Sequence, residues 1–125
     1  MSGRQKRILV VEDDDTLRET LTEILLDEGH EVRAAAHGHE ALERLDGWEP
    51  NVILLDLMMP RMDAFAFRTR QRELGIAAGA RIVVISAARE LESAVELLSA
   101  DGWIAKPFRL AEVVDAVDRL LSPAG

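Results

Sequence analysis

The sequence Val-Ile-Leu-Leu-Asp at residues 52–56 places Asp56 directly after four consecutive apolar residues. A short unbroken apolar run, rich in branched side chains, is typical of a strand that is buried on both faces of a parallel sheet. The run at residues 8–11 has the same character, as does the stretch 81–85, in which four apolar residues follow Arg81, and each is followed by polar side chains. The sequence therefore predicts three buried parallel strands whose ends carry candidate functional groups.

Helical patterns alternate with strands along the whole chain. Helices are predicted from Thr16 to a stop at Gly29 and at residues 38–45, 65–74, 90–98 and 110–121, with weaker strands at 31–36 and 102–105. Thr16 and Glu19 have the spacing of a capping box at the start of the first helix. Such alternation predicts right-handed crossovers and one parallel sheet with helices on both faces.

The composition is typical of one globular domain. The chain has 125 residues, of which 48% are hydrophobic, and this is enough apolar material for a core. We expect the domain to span residues 7–122, with frayed termini at 1–6 and 123–125 and no second domain. No apolar run approaches the roughly 20 residues that cross a bilayer, and the basic start does not lead into a signal-peptide core. We therefore expect a cytoplasmic protein without a membrane partner.

Cysteine content and net charge exclude several classes of function. Cysteine is absent, so the chain forms neither disulfides nor thiolate metal sites, which suits a reducing compartment. The formal net charge is −8. This charge argues against nucleic acid as a direct ligand, because phosphate binding needs a basic face.

Polar side chains at the ends of four predicted strands form the candidate site. Glu12 and Asp13 follow the first strand, and Asp56, Ser86 and Lys106 stand at the ends of three others. Ligands of an open parallel sheet bind outside the carboxyl ends of its strands, so these groups can converge. Taken singly, each has a simpler interpretation as a helix cap, a turn residue or part of a loop. Together they form one coherent arrangement of charges.

Carboxylates gathered in one cleft require a cation or bound protons. At about 4 Å, two of them repel by roughly 4 kcal/mol at an effective dielectric near 20. A site with few carboxylates and room for water favours Mg²⁺ over Ca²⁺, and such an ion neutralises a phosphoryl group that a carboxylate attacks. Lys106 is one of only two lysines in a chain that otherwise uses arginine, and its compact ammonium suits a phosphoryl oxygen. The residues thus predict a Mg²⁺-dependent phosphoryl acceptor at Asp56.

The chain resembles the receiver domain of two-component response regulators, including chemotaxis regulators. The matching segments are ILVVEDD at residues 8–14, LLDLMMP at 54–60, VISA at 84–87 and WIAKPF at 103–108. These segments span nearly the whole chain, and their order and spacing fit the family. The resemblance implies a doubly wound, flavodoxin-like α/β fold with a five-stranded parallel sheet in the order 2-1-3-4-5.

The resemblance also implies roles for the residues around the phosphoryl group. Asp56 would be the phosphoacceptor, and Ser86 and Lys106 would hold the transferred group. Trp103 would be the aromatic residue whose rotamer is coupled to Ser86. The peptide bond between Lys106 and Pro107 would be cis.

The metal site is implied in the same way. Asp13 would bind Mg²⁺ directly, and Glu12 would bind it mostly through water. Asp56 and the backbone carbonyl of Met58 would supply the other ligands.

Three departures from the family pattern affect how a change at Asp56 would be transmitted to a partner. Ala64 stands where the family usually has glycine, and it would be strained if the turn requires a positive φ. Trp103 is bulkier than the usual tyrosine or phenylalanine, which puts the simple rotamer switch in question. The stretch from Ser86 to Lys106 is slightly shorter than typical, so we expect a short or irregular helix at 90–98.

The sequence predicts a phosphoacceptor of a two-component phosphorelay, acting as a signalling switch and not as an enzyme. It would take phosphate from a histidine kinase or a phosphotransfer protein. It would then act on an output partner through the face near Trp103 and the last helix, or form a phosphorylation-dependent homodimer.

Two alternatives remain open at this stage. One is a receiver-like interaction module that works without phosphorylation. The other is a small aspartate-dependent phosphatase, since Glu12, Asp14 and Thr16 keep the spacing of a phosphatase motif. Glutamate at the nucleophile position and the short chain disfavour the phosphatase.

Overall fold

A five-stranded parallel sheet forms the centre of the computed structural model, which describes residues 6–57, 64–87, 96 and 98–121. The strands are β1 (Arg7–Val11), β2 (Glu31–Ala35), β3 (Val52–Asp56), β4 (Arg81–Ala87) and β5 (Gly102–Lys106). Their order is β2-β1-β3-β4-β5, with every neighbouring pair parallel. The predicted doubly wound sheet and its strand order are confirmed.

Helices cover both faces of the sheet, as predicted. Within the described ranges they are α1 (Asp15–Asp27), α2 (Gly38–Arg44), α3 (Ala64–Leu74) and α4 (Leu110–Leu121). None of these helices is long and apolar enough to cross a membrane. The helix predicted at 90–98 falls largely outside the described residues.

Two apolar clusters form the core, one on each face of the sheet. Successive side chains of a strand point to opposite faces, so Leu9 and Val11 of β1 join the cluster that includes residues of α2 and α3. Ile8 and Val10 join the other cluster, with residues of α1 and α4. This two-sided burial explains the unbroken apolar runs of the central strands.

The boundaries of two helices test the finer predictions. The N-cap of α1 is Asp14, whose Oδ1 accepts a hydrogen bond from the Leu17 amide at 2.8 Å. The predicted capping box at Thr16 is therefore wrong, because the helix begins at Asp15 and a carboxylate caps it. Gly29, with φ of 94°, ends α1 as predicted. Ala64 lies in α3 and is fully buried, and helical backbone does not require the positive φ that would strain it.

Trp48 anchors the start of the edge strand β2. Only 4% of its surface is exposed. Its indole N–H donates to Oε2 of Glu31 at 3.0 Å, and the guanidinium of Arg33 lies 4.6 Å from the ring centroid. These contacts attach a weakly patterned strand to the body of the sheet.

Candidate functional site

The acidic side chains of the site meet because of the parallel pairing of β1 and β3. Val11 is opposite Leu55, so the next residues along the two strands, Glu12 and Asp56, emerge side by side. One carboxylate oxygen from each of Glu12, Asp13 and Asp56 lies within 4.8 Å of the other two. The predicted acidic cluster is therefore present at the carboxyl edge of the sheet.

Lys106 reaches Asp56 from the end of β5. Its Nζ lies 3.1 Å from Oδ2 and 3.3 Å from Oδ1 of Asp56. Asp56 is completely buried, whereas 32% of the Lys106 side chain is exposed. Ser86, at the end of β4, is also completely buried. Its Oγ makes no hydrogen bond to the described residues, which leaves this hydroxyl available to a ligand oxygen.

Glu12 is a buried acid that lies beside Asp56. Its Oε2 accepts a hydrogen bond from the Asp14 amide at 3.0 Å, while its buried Oε1 has no hydrogen-bond partner in the described part of the chain. Burial, together with the neighbouring carboxyl of Asp56, raises the pKa of Glu12 to about 8. Removal of charged oxygens from water favours the protonated acid until a cation compensates the charge.

The donor set of this cluster fits a hard divalent cation. The cluster offers three carboxylates, and Mg²⁺ prefers oxygen ligands with a few protein groups and several waters. The unpartnered Oε1 of Glu12 is a polar atom that such an ion, or a water bound to it, would satisfy. Met58, predicted to contribute its backbone carbonyl, lies outside the described residues.

The comparison with known proteins identifies the family. A family model for the response regulator receiver domain matches residues 8–118. The chain belongs to this family. The chemotaxis protein CheY of Halobacterium salinarum is 32% identical over 120 residues, which cover 94% of this chain and 98% of that protein. The response regulator MprA of Mycolicibacterium vanbaalenii is 36% identical over 117 residues, but the matched region is only 50% of its length.

Solved receiver structures share the fold. The chemotaxis protein CheY4 of Vibrio cholerae superposes with a TM-score of 0.84 at 28% identity, covering 94% of this chain and 99% of that one. The response regulator TrrA of Thermotoga maritima, solved in complex with Mg²⁺-BeF, gives a TM-score of 0.79 at 32% identity, covering 94% of this chain and all of that one. Both likenesses extend over nearly the whole receiver domain.

Two predictions concern β5, and the one that couples the Trp103 rotamer to Ser86 stays a prediction. The peptide bond between Lys106 and Pro107 is cis, as the resemblance implied. Trp103 points outward and is 59% exposed, while Ser86 is fully buried. In this conformation of the receiver domain, the bulky indole is not packed inward toward the hydroxyl.

Arg18 is a neighbour of the site that the sequence interpretation missed. One terminal nitrogen of its guanidinium donates to the backbone carbonyl of Glu12 at 2.9 Å. The other donates to Oδ1 of Asp15 at 2.6 Å. The sequence indicates only the pairing of Arg18 with Asp15, because residues three apart in a helix face each other.

Proposed function

We propose that this receiver domain accepts a phosphoryl group on Asp56 and changes conformation to control an output partner. The arrangement around Asp56 carries the proposal: a fully buried carboxylate, an ammonium 3.1 Å away, and two further carboxylates with oxygens within 4.8 Å. The positive charge of Lys106 complements a phosphoryl group, and the negative charges of the acids complement a divalent cation.

The proposed reaction is nucleophilic displacement at phosphorus. An oxygen of Asp56 attacks the phosphoryl group of a phosphohistidine, the new O–P bond forms, and the P–N bond of the donor breaks. The departing imidazole nitrogen keeps the electron pair, and the product on Asp56 is an acyl phosphate. Bound Mg²⁺ would supply positive charge to the phosphoryl oxygens, and Glu12, Asp13 and Asp56 would hold it together with the carbonyl of Met58.

Lys106 and Ser86 hold the product in this scheme. The ammonium of Lys106 already lies against both oxygens of Asp56, so a short movement along its flexible stem brings it to a phosphoryl oxygen. Ser86 donates its hydroxyl hydrogen to another phosphoryl oxygen and gains a partner that it lacks among the described residues. Phosphorylation thereby favours conformations in which the end of β4 is drawn toward Asp56.

We place the output surface at the edge of the sheet beside α4. A groove there is lined by residues of β5 and α4 that include Trp103, Arg119 and Leu120. The phosphoryl donor is a histidine kinase or a phosphotransfer protein, and the output is a separate partner or a second copy in a phosphorylation-dependent homodimer. Location in the cytoplasm stays a prediction.

Label transfer to purified protein tests the proposal directly. We expect wild-type protein to incorporate ³²P from acetyl phosphate or a phosphorylated histidine kinase in the presence of Mg²⁺, and Asp56→Asn to incorporate none. Asp46→Asn is the matched control, because Asp46 is an exposed aspartate just after α2 and away from the acidic cluster. Equal labelling of Asp56→Asn and wild type would disprove the assignment.

An experiment with beryllofluoride distinguishes a phosphorylation-dependent switch from an interaction module that works without phosphorylation. We expect this phosphoryl mimic, added with Mg²⁺, to change the amide chemical shifts of β4 and β5 in wild type but not in Asp56→Asn. Shifts unchanged in wild type would favour the constitutive module. Size-exclusion chromatography with light scattering on the same samples tests the homodimer.

The structure gives the phosphatase alternative little support. Glu12, at its nucleophile position, is buried with a raised pKa and is a poor nucleophile when protonated. Asp14 is the N-cap of α1. We therefore expect no turnover of p-nitrophenyl phosphate.

A further inference from the structure

Four consecutive acids, from Glu12 to Asp15, form the loop after β1 and the first residue of α1. Like charges this close repel one another, and the Asp56 carboxylate lies beside them. Within the described residues, Arg18 is the one cation that donates hydrogen bonds to this acidic segment. Its side chain is only 21% exposed, so the guanidinium is packed against the loop and not extended into solvent.

The contacts of Glu12 show what Arg18 adds. The Glu12 amide donates to the Ala35 carbonyl at 3.0 Å and continues the sheet pairing. The Glu12 carboxylate accepts from the Asp14 amide within the same loop. The Glu12 carbonyl accepts from Arg18. This last bond ties the backbone of the acidic residue to the first turn of α1, so it fixes where the peptide leading to Asp13 lies.

The field of the Arg18 charge at the cation site is weakened by its ion pair. Asp15 Oδ1 lies 2.6 Å from the second terminal nitrogen, and the Asp15 side chain is 83% exposed. A paired charge at the edge of solvent is well screened. The effect of Arg18 on the acidic cluster is therefore mainly geometric, through the carbonyl that it holds.

We propose that Arg18 is a positioning residue for cation binding, holding the loop so that the carboxylates of Glu12 and Asp13 face Asp56. The inference rests on the proposed function of this acidic cluster as a Mg²⁺ site. Substitution of a group that orients the ligands of a metal typically lowers metal affinity by about 10- to 100-fold. Loss of the guanidinium leaves the Glu12 carbonyl without its charged donor.

Four variants distinguish a positioning role of Arg18 from an effect of its charge and from an effect on the stability of the fold. Arg18→Gln removes both contacts, and Arg18→Lys keeps the charge and one point of donation. Asp15→Asn removes the charge of the ion-pair partner but keeps the donor to the carbonyl. Arg44→Gln is the matched control. Arg44 lies in α2, on the other face of the sheet from α1, where it pairs with a glutamate of its own helix and donates to the backbone carbonyl of Ala34.

The measurements are the Mg²⁺ dissociation constant by calorimetry, amide hydrogen exchange of the Mg²⁺-free protein, and the melting temperature. We expect Arg18→Gln to weaken Mg²⁺ binding about tenfold and to speed exchange at the Asp14 amide. Arg18→Lys should recover part of both effects, and Asp15→Asn should stay within about twofold of wild type. Arg44→Gln should lower the melting temperature without changing Mg²⁺ affinity.

The proposal fails if Arg18→Gln binds Mg²⁺ as tightly as wild type or more tightly, or if Asp15→Asn matches its loss. In either case, labelling of wild-type Asp56 would leave the proposed function intact. Absence of Mg²⁺ binding and labelling in wild type would overturn both proposals. Should Arg18→Gln fail to fold, Arg18→Lys and Asp15→Asn decide between positioning and ion pairing.

Discussion

Binding of Mg²⁺ to this receiver domain should release a proton from Glu12. Without a cation, burial beside Asp56 raises the pKa of Glu12 from 4.5 to about 8. At pH 7 only about one molecule in ten then carries an ionised Glu12, and a cation that uses the carboxylate must first displace the proton. The apparent affinity for Mg²⁺ should therefore rise about tenfold per pH unit between pH 5 and 7 and level off above about pH 8.

The same pKa predicts how stability depends on pH. Because the pKa of Glu12 is higher in the folded than in the unfolded state, protonated Glu12 favours the folded state. This contribution to stability is complete below pH 4.5 and is lost as the pH rises through about 8. Each unit of difference between the folded-state and unfolded-state pKa corresponds to about 1.4 kcal/mol, and the change is shared with the neighbouring carboxyl of Asp56. The unfolding free energy of Mg²⁺-free wild type, measured against Glu12→Gln, should fall over this window, and saturating Mg²⁺ should remove most of the loss.

Calorimetry in buffers with different heats of ionisation counts the released protons. We expect nearly one proton per Mg²⁺ at pH 6.5 and almost none at pH 9 for wild type. Glu12→Gln should bind more weakly at high pH and release none at either pH. If wild type releases no proton at pH 6.5, Glu12 is already ionised and the argument from burial is wrong.

Three further perturbations address other parts of the structure. Lys106→Met leaves the buried carboxylate of Asp56 without its ammonium and should lower the unfolding free energy in EDTA by about 2 kcal/mol; an unchanged urea midpoint would contradict this. Gln71→Ala removes a buried amide that donates to two backbone carbonyls after α3 and should cost about 2–3 kcal/mol in urea unfolding; phosphoryl labelling per folded molecule should stay unchanged. Arg33→Ala removes the cation above the Trp48 ring and should cost about 1 kcal/mol by thermal unfolding; Arg33→Lys should recover part of this, and no loss in either would refute the contact.

The sheet was predictable because its central strands are buried on both faces. Each of these strands is a run of apolar residues that ends in a polar group, and parallel pairing places those ends together. Asp56, Glu12, Asp13 and Lys106 therefore converge as the sequence indicated. The strand order came from the family resemblance, since periodicity alone does not give the order of strands in a sheet.

Local contacts were harder to predict, because several residues competed for each role. Asp14, and not Thr16, caps α1, since either side chain can accept from the first turn and the backbone decides where the helix begins. The contact of Arg18 with the Glu12 carbonyl has no pattern in the sequence, because one of its partners is a backbone atom. The outward position of Trp103 depends on the solvent exposure of the edge strand β5. The size of the indole suggested this position, but the sequence does not give the exposure of a strand.

The two tryptophans of this chain lie in opposite surroundings. Trp48 is 4% exposed at the far end of the sheet from the acidic cluster, and Trp103 is 59% exposed on the strand that ends at Lys106. An indole in water emits at longer wavelength and is quenched by acrylamide, whereas an enclosed indole is protected. The unmodified protein therefore contains a fluorescent reporter on the proposed output surface and an internal reference. Inward movement of Trp103 on phosphorylation would shift its emission to the blue and shield it from the quencher, while the signal from Trp48 stays constant.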